Sequence, residues 1–321
     1  MHTDTEHVLV SSVISRRRLL ASFLAVPAVG GFMAACGKAS TTSTPSTTPD
    51  TSVPPSTTPS TTPGTGTPGT TPPDGGFTHP MQGTELVIRL GYLGGFVAPD
   101  YLFSRLPTMV ISGDGHVYTP GVMTMQYPGP LVPPLNVRTI SEAGIQTLLK
   151  RADTDQLLGP APDYTAETMI ADAPSTEVVI ATQGSTYTHN AYALGMTPDG
   201  GKELTPARQR LFDFSTALQA LEATVGAGEL GEQSLYAPAA YRIRARKAEQ
   251  SELDGMMPAP SVVDWPASVG VRLADAAECR SVTAAQVGSV LAEAKQNTYF
   301  REDGVLYFLA VAPILPGDTP C

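Results

Sequence analysis

Few side chains in this sequence have the type and spacing that chemistry requires. Three histidines lie beyond residue 76: His79, His116 and His189. Imidazole exchanges a proton near neutral pH and ligates transition metals, so a catalytic or metal site would need two of these rings, or one ring and a carboxylate, to meet in space. No His-Glu-x-x-His, no Gly-x-Ser-x-Gly elbow and no phosphate-binding glycine loop organises them. His79 borders a Ser/Thr/Pro-rich stretch, His116 follows a turn, and His189 alternates with Tyr187 and Ala191 on one strand face. They read first as ordinary strand histidines, with a His116–His189 metal or acid–base pair as the alternative. Asp114, Asp199, Asp254 and Asp303 each precede glycine and read as turn formers. A calcium loop would need several acids within one loop, and no metal or cofactor is expected.

Arg242, Arg244 and Arg246, followed by Lys247, put a basic stripe on one face of an alternating segment. Such a stripe can contact an acidic ligand, namely the phosphates of wall polymers or lipid headgroups. The plainer reading is a solvated face paired with neighbouring acids. The single Trp265, near Pro258, Pro260 and Pro266, reads either as core or as the rim of a ligand site. Of three cysteines, Cys36 belongs to the N-terminal segment. Cys279 and Cys321 remain as an even pair, expected to form a disulfide closing a loop of about 40 residues, which the chain-entropy account values at roughly 4 kcal/mol. A two-cysteine metal site or free thiols are the alternatives.

The elements that would position these groups follow from periodicity. Residues 85–90, 108–112, 116–119, 123–127 and 135–139 read as strands, with Asp114-Gly115 turning a hairpin. Ser141 caps a helix whose buried face is Ile145, Leu148, Leu149 and Ala152. Residues 177–182 and 185–193 form a hairpin about Gln183-Gly184. Thr205-Pro206 opens a longer helix with Leu211, Phe214, Leu218, Leu221 and Val225 inward, ended by Gly226. Strands at 241–247 and 269–273 precede a third helix, where Thr283 and Gln286 form a capping box above Val287, Val290, Leu291 and Ala294. Asp303-Gly304 turns the last hairpin, and its second strand, 305–312, is apolar on both faces and should be central. The fold class is α+β, mostly antiparallel sheet with about three helices. Residues 138–152 align without gaps on 280–294, and a hairpin follows each, so two related helix-plus-hairpin modules are expected, or convergent amphipathic patterning.

The N-terminus carries the strongest signal. Arg16, Arg17 and Arg18 precede an apolar run of about 13 residues and then small residues leading to Cys36. Positive charge, a short hydrophobic segment and a small-residue processing site form an export signal, and the run is shorter than the roughly 20 residues of a membrane span. Residues 38–76 are almost wholly Thr, Ser, Pro and Gly, a composition with nothing apolar to bury, and read as a disordered, extended linker. Three arginines and two acids (Asp4, Glu6) fall in residues 1–35, so a chain starting at Cys36 keeps 17 of 20 basic and 28 of 30 acidic residues, a net charge of −11. That acidity, on an exported chain, argues against nucleic-acid binding.

Ser15-Arg16-Arg17-Arg18-Leu19-Leu20 resembles the twin-arginine export consensus, with Arg16 and Arg17 as its pair. Met33-Ala34-Ala35-Cys36-Gly37 resembles a bacterial lipobox, with Met33 where leucine is usual. The first 76 residues are thus similar to lipoproteins exported by the twin-arginine route in high-GC Gram-positive-type bacteria. Residues 77–321 resemble other lipoproteins of that kind, a likeness that implies no activity. The resemblance implies lipid attachment at Cys36 and a place on the extracytoplasmic face of the cell membrane. The expected organisation is a signal peptide (1–35), a lipidated linker (36–76) and a globular α+β domain (77–321) with lobes 77–200 and 201–321. The expected role is binding a ligand or partner, a cell-wall polymer or envelope protein, rather than catalysis. A cell-wall or peptide hydrolase, or a structural or inhibitory module, is the alternative.

Overall fold

The computed structural model describes residues 75–165, 170–196 and 204–321. The export signal, Cys36, all but the end of the linker, and Asp199 lie outside the described residues.

The chain runs β1 (Leu86–Gly94), α1 (Pro99–Ser104), β2 (Met109–Ser112), β3 (His116–Pro120), β4 (Leu135–Thr139), α2 (Glu142–Thr154), β5 (Pro174–Thr182) and β6 (Ser185–Tyr192). It continues through α3 (Pro206–Gln219), α4 (Leu221–Val225), β7 (Ser234–Tyr236), β8 (Ala240–Ala248), α5 (Gln250–Leu253), β9 (Ser261–Asp264), β10 (Arg280–Thr283), α6 (Ala284–Glu293), β11 (Thr298–Glu302) and β12 (Val305–Pro313). Two sheets result, in the orders β6-β5-β1-β2-β3-β4-β7 and β10-β8-β12-β11-β9. Every strand pair is antiparallel except β9 with β11. The fold is α+β, with three helices of ten or more residues among the described residues.

The first sheet buries one face beneath α2 and α3. Ile88, Leu90, Met109, Ile111, Val178 and Ile180 meet Ile145, Leu148, Leu149, Leu211, Phe214 and Leu218 in one core. The helical side of that contact is the set spaced for a single face, and the Ser141 side chain accepts from the Gly144 N–H to start α2. The second sheet packs Ile243, Leu309, Val311 and Phe300 against Val287 and Leu291 of α6. β12 is its middle strand, which accounts for a sequence apolar on both faces. The sheets divide between Tyr236 and Ala240, and α3 belongs to the first core, so the boundary between them is later than residue 200.

Three expected elements differ. Residues 123–127 are not a strand but part of a loop that closes where the Gly121 N–H donates to the Pro134 carbonyl at 2.7 Å. Pro120 and Pro128 flank them and remove two ladder donors. Residues 269–273 alternate like a strand but join two 3-10 turns, Ala267–Val269 and Leu273–Ala276, through a left-handed Gly270, and Val269 and Leu273 both reach the second core. The helix from Pro206 breaks at Ala220 into α3 and α4. The Thr224 hydroxyl reaches the Ala217 carbonyl at 2.7 Å across that break. The aligned segments 138–152 and 280–294 both make the end of a strand, then a helix, then a hairpin. In the sheets, three strands separate β4 from the first hairpin and one separates β10 from the second.

Candidate functional site

A groove of about 670 Å3 runs between β9 and α6, within the range of small-ligand sites. Ser261 and Val263 form one wall, Ser289, Val290 and Glu293 the other, and Ala294, Thr298 and Phe300 the floor. Val262 and Asp264 point to the opposite strand face. β9 is the last strand of its sheet, and its outer edge pairs with no strand among the described residues.

Local chemistry holds this shape. Trp265 packs edge-on against Phe300, with ring centroids 5.3 Å apart, and its indole N–H donates to the Val271 carbonyl at 2.8 Å. The tryptophan is therefore core and supports the floor from behind. The buried Asn297 amide donates to the carbonyls of Pro258 and Ala259, fixing the approach to β9. The Ser261 and Thr298 hydroxyls bond at 2.8 Å, and Thr298 also accepts from the Lys295 N–H. The loop after β3 is tied to the end of α6 by Leu131 N–H to Ala294 carbonyl and Gln296 N–H to Gly129 carbonyl bonds. Pro128 thereby enters the groove wall beside Pro258 and Pro266. The lining is mainly apolar, and Glu293 and Lys295 add one charge of each sign.

The histidines do not meet. His116 on β3 and His189 on β6 are four strand spacings apart, about 19 Å at 4.8 Å per strand. His189 is fully buried. Its Nε2–H donates to the Leu157 carbonyl at 2.8 Å, which leaves Nδ1 to accept from the Tyr164 hydroxyl at 2.8 Å. Burial lowers its pKa, against the Leu157 bond that raises it, so the neutral ring is favoured. Burial also pushes the Tyr164 hydroxyl up to about 12. His116 Nδ1 lies 3.0 Å from Asp114 Oδ1 in the open hairpin turn, off the line of a hydrogen bond. Burial raises the Asp114 carboxyl, but the Ser112 hydroxyl and the His116 ring outweigh it and its pKa is lowered. His79, expected at the edge of the linker, is buried instead, bonded to the Pro80 carbonyl and to Glu142 at 3.0 Å. Among the described residues no three His, Cys, Asp or Glu side chains gather to hold a metal. Asp254 and Asp303 each sit at a turn before a left-handed glycine.

The arginine stripe lies on the face of β8 opposite Ile243 and Ala245, where Asp100 and Phe103 of α1 contact it. Asp100 accepts from Arg244 at 2.9 Å and lies 3.4 Å from Arg246, which also pairs with Glu252 at 2.9 Å. Phe103 stacks on Arg244 at 4.9 Å, and Arg242 approaches Asp318 at 4.0 Å. Cys279 and Cys321 form a disulfide, with Cα atoms 5.5 Å apart.

Sequence reasoning missed the groove, because β9 is four residues between prolines and α6 shows its pattern for the core rather than for the wall. The available signal was the β-branched pair Val262-Val263 bracketed by Pro260 and Pro266. No protein-family model matches the chain, and neither a curated protein nor a solved structure matches it.

Proposed function

We propose that the chain is an exported lipoprotein, held through Cys36 at the extracytoplasmic face of the cell membrane, whose folded part binds an envelope partner in the groove between β9 and α6. The groove carries this reading: a mainly apolar lining with a few polar groups and one charge of each sign is the make-up of a recognition site. The N-terminal order of arginines, apolar run and Cys36 supports the location. The hydrolase reading needs a histidine facing a cleft with a carboxylate. His189 spends both ring nitrogens on internal bonds, His79 is buried with both of its own on the Pro80 carbonyl and Glu142, and His116 stands in a surface turn, so binding is the favoured reading.

Thermal-shift screening of the purified chain against wall fragments, sugars, lipids and peptides tests the binding role. A ligand at 100 times its Kd adds about 2.7 kcal/mol and should raise Tm by several degrees. The shift should vanish in Val263→Glu, which puts a carboxylate into the groove, and persist in Val262→Glu on the opposite strand face. A ligand indifferent to Val263→Glu binds elsewhere and sinks the groove reading. Mass spectrometry of the membrane fraction tests the anchor: no acyl mass on an N-terminal Cys36 would refute it.

A further inference from the structure

We propose that the end of β1 and helix α1, residues 92–102, form a surface that enters the outer leaflet of the membrane and seats the folded part on the bilayer. This goes beyond the groove and draws on the proposed location only for the nearness of a membrane. From Leu90 to Ser104 the one charged side chain is Asp100, in a chain of net charge −10. Tyr92, Leu93, Phe96, Val97, Tyr101 and Leu102 are all exposed, Phe96 at 87 % and Tyr101 at 55 %. No residue of α1 is buried. Asp100 is taken up by Arg244 and Arg246. A contiguous exposed apolar run of this kind marks a contact with a protein or a membrane.

The backbone favours the membrane. Hydrocarbon offers no hydrogen bonds, so a segment that enters it must satisfy its N–H and C=O groups internally, whereas a loop at a wet protein interface need not. The run meets that demand. The Arg105 guanidinium donates to the Tyr92 and Gly94 carbonyls at 3.1 and 2.9 Å. The Phe96 N–H goes to the Asp172 carbonyl and the Val97 N–H to that of Gly95, while Tyr101 and Leu102 both donate to Ala98. The Ser104 hydroxyl closes on the Asp100 carbonyl at 3.0 Å. Cations accompany the rings: Arg105 is 5.0 Å from the Tyr101 ring centroid and Arg244 is 4.9 Å from that of Phe103. Aromatic rings backed by guanidinium groups suit a membrane interface, with rings at the acyl boundary and cations at the headgroup phosphates. From Cys36 to Gly75 the chain, at about 3.3 Å per residue, can span on the order of 100 Å, long enough for an anchored domain to present this face.

Vesicles of phosphatidylcholine and phosphatidylglycerol test this on the full chain carrying Cys36→Ala, which cannot be acylated there. Phe96→Trp should shift its emission to the blue when vesicles are added and lose intensity when their acyl chains carry bromine, the signal of the buried Trp265 being subtracted with the parent chain. Leu235→Trp, exposed on β7 and outside the run, should do neither. Adding Tyr101→Ser and Leu102→Ser to Phe96→Trp should weaken partitioning at least about tenfold. Absence of a vesicle-induced shift in Phe96→Trp overturns the proposal, and so does equal quenching of both probes, which would report insertion through another segment. A blue shift that needs no vesicles and grows with protein concentration also overturns it, giving the face to a second copy. The anchor is judged separately. Insertion without acyl mass on Cys36 refutes the anchor alone, and an acylated Cys36 without insertion refutes this surface alone.

Discussion

The Arg89 guanidinium on β1 lies 2.6 Å from the Asp318 carboxylate, and the other oxygen of that carboxylate lies 4.0 Å from Arg242 on β8. One nearly buried acid in the C-terminal tail thus stands between a strand of each sheet, and it also accepts from the Leu315 N–H at 2.9 Å. Asp318→Ala should cost about 3 kcal/mol, because it strands a partly buried Arg89 and an amide. Breaking the exposed Arg272–Asp303 pair should cost at most about 0.5 kcal/mol. Urea unfolding of both variants checks the contrast, and equal losses would show that the tail does not join the sheets energetically.

Cys321 ends the same tail. Its N–H donates to the Ser281 hydroxyl, and its disulfide to Cys279 closes a separation of 42 residues. Replacing both cysteines with serine should lower stability by about 2–4 kcal/mol. If Asp318 and the disulfide hold one tail, their losses should fall short of additive in the triple variant.

Arg208 is buried and donates to the carbonyls of Tyr164, Tyr192 and Ala193, at 2.7, 2.8 and 3.2 Å. Arg208→Met keeps much of the volume but leaves those acceptors short, and should cost about 3 kcal/mol. Arg208→Lys, able to serve only part of the set, should fall between. Denaturant midpoints for the three proteins give the ranking, and a neutral Arg208→Met would remove this cluster from the account of the first core.

Most of the fold was legible where a pattern was long and its cause local. The capped helices over Ile145–Leu149 and Val287–Leu291, the Gln183-Gly184 and Asp303-Gly304 hairpins and the central place of 305–312 all follow from spacing, turn chemistry and burial. What stayed hidden was tertiary. Residues 269–273 alternate correctly for a strand, but the Val271 carbonyl goes to the Trp265 indole and the Leu273 amide to Glu302. His79 reads as part of a polar margin until Glu142 and Pro80 are seen around it. The groove depends on bringing Pro128, Val263 and Glu293 together from three distant segments, which no local period encodes.

Asp100 sets how much of the arginine stripe an anionic partner can use, since α1 places it against both Arg244 and Arg246. Asp100→Asn removes a charge worth about 1 kcal/mol at 4 Å in water, so affinity for polyphosphate should rise several-fold at low salt. The gain should fade as salt shortens the screening length to about 3 Å at 1 M. Titration by fluorescence anisotropy reads both effects. Unchanged binding in Asp100→Asn would mean that the stripe serves the fold alone.

His189 should make the protein acid-sensitive in a defined direction. Burial lowers its folded pKa below the ordinary 6.5, against the Leu157 bond that raises it, so the folded state binds fewer protons than the unfolded chain. Its contribution is therefore constant above about pH 6.5 and falls as pH drops toward the folded pKa, with a limiting slope of about 1.4 kcal/mol per pH unit. His189→Gln should be less stable at pH 8, having lost at least one of two buried bonds, but should lack that slope. His79 and His116 are common to both proteins, so subtracting one pH–stability curve from the other isolates the buried ring. A difference curve flat between pH 7 and pH 5 would mean that His189 keeps an ordinary pKa in the fold and that burial does not enforce its neutral form.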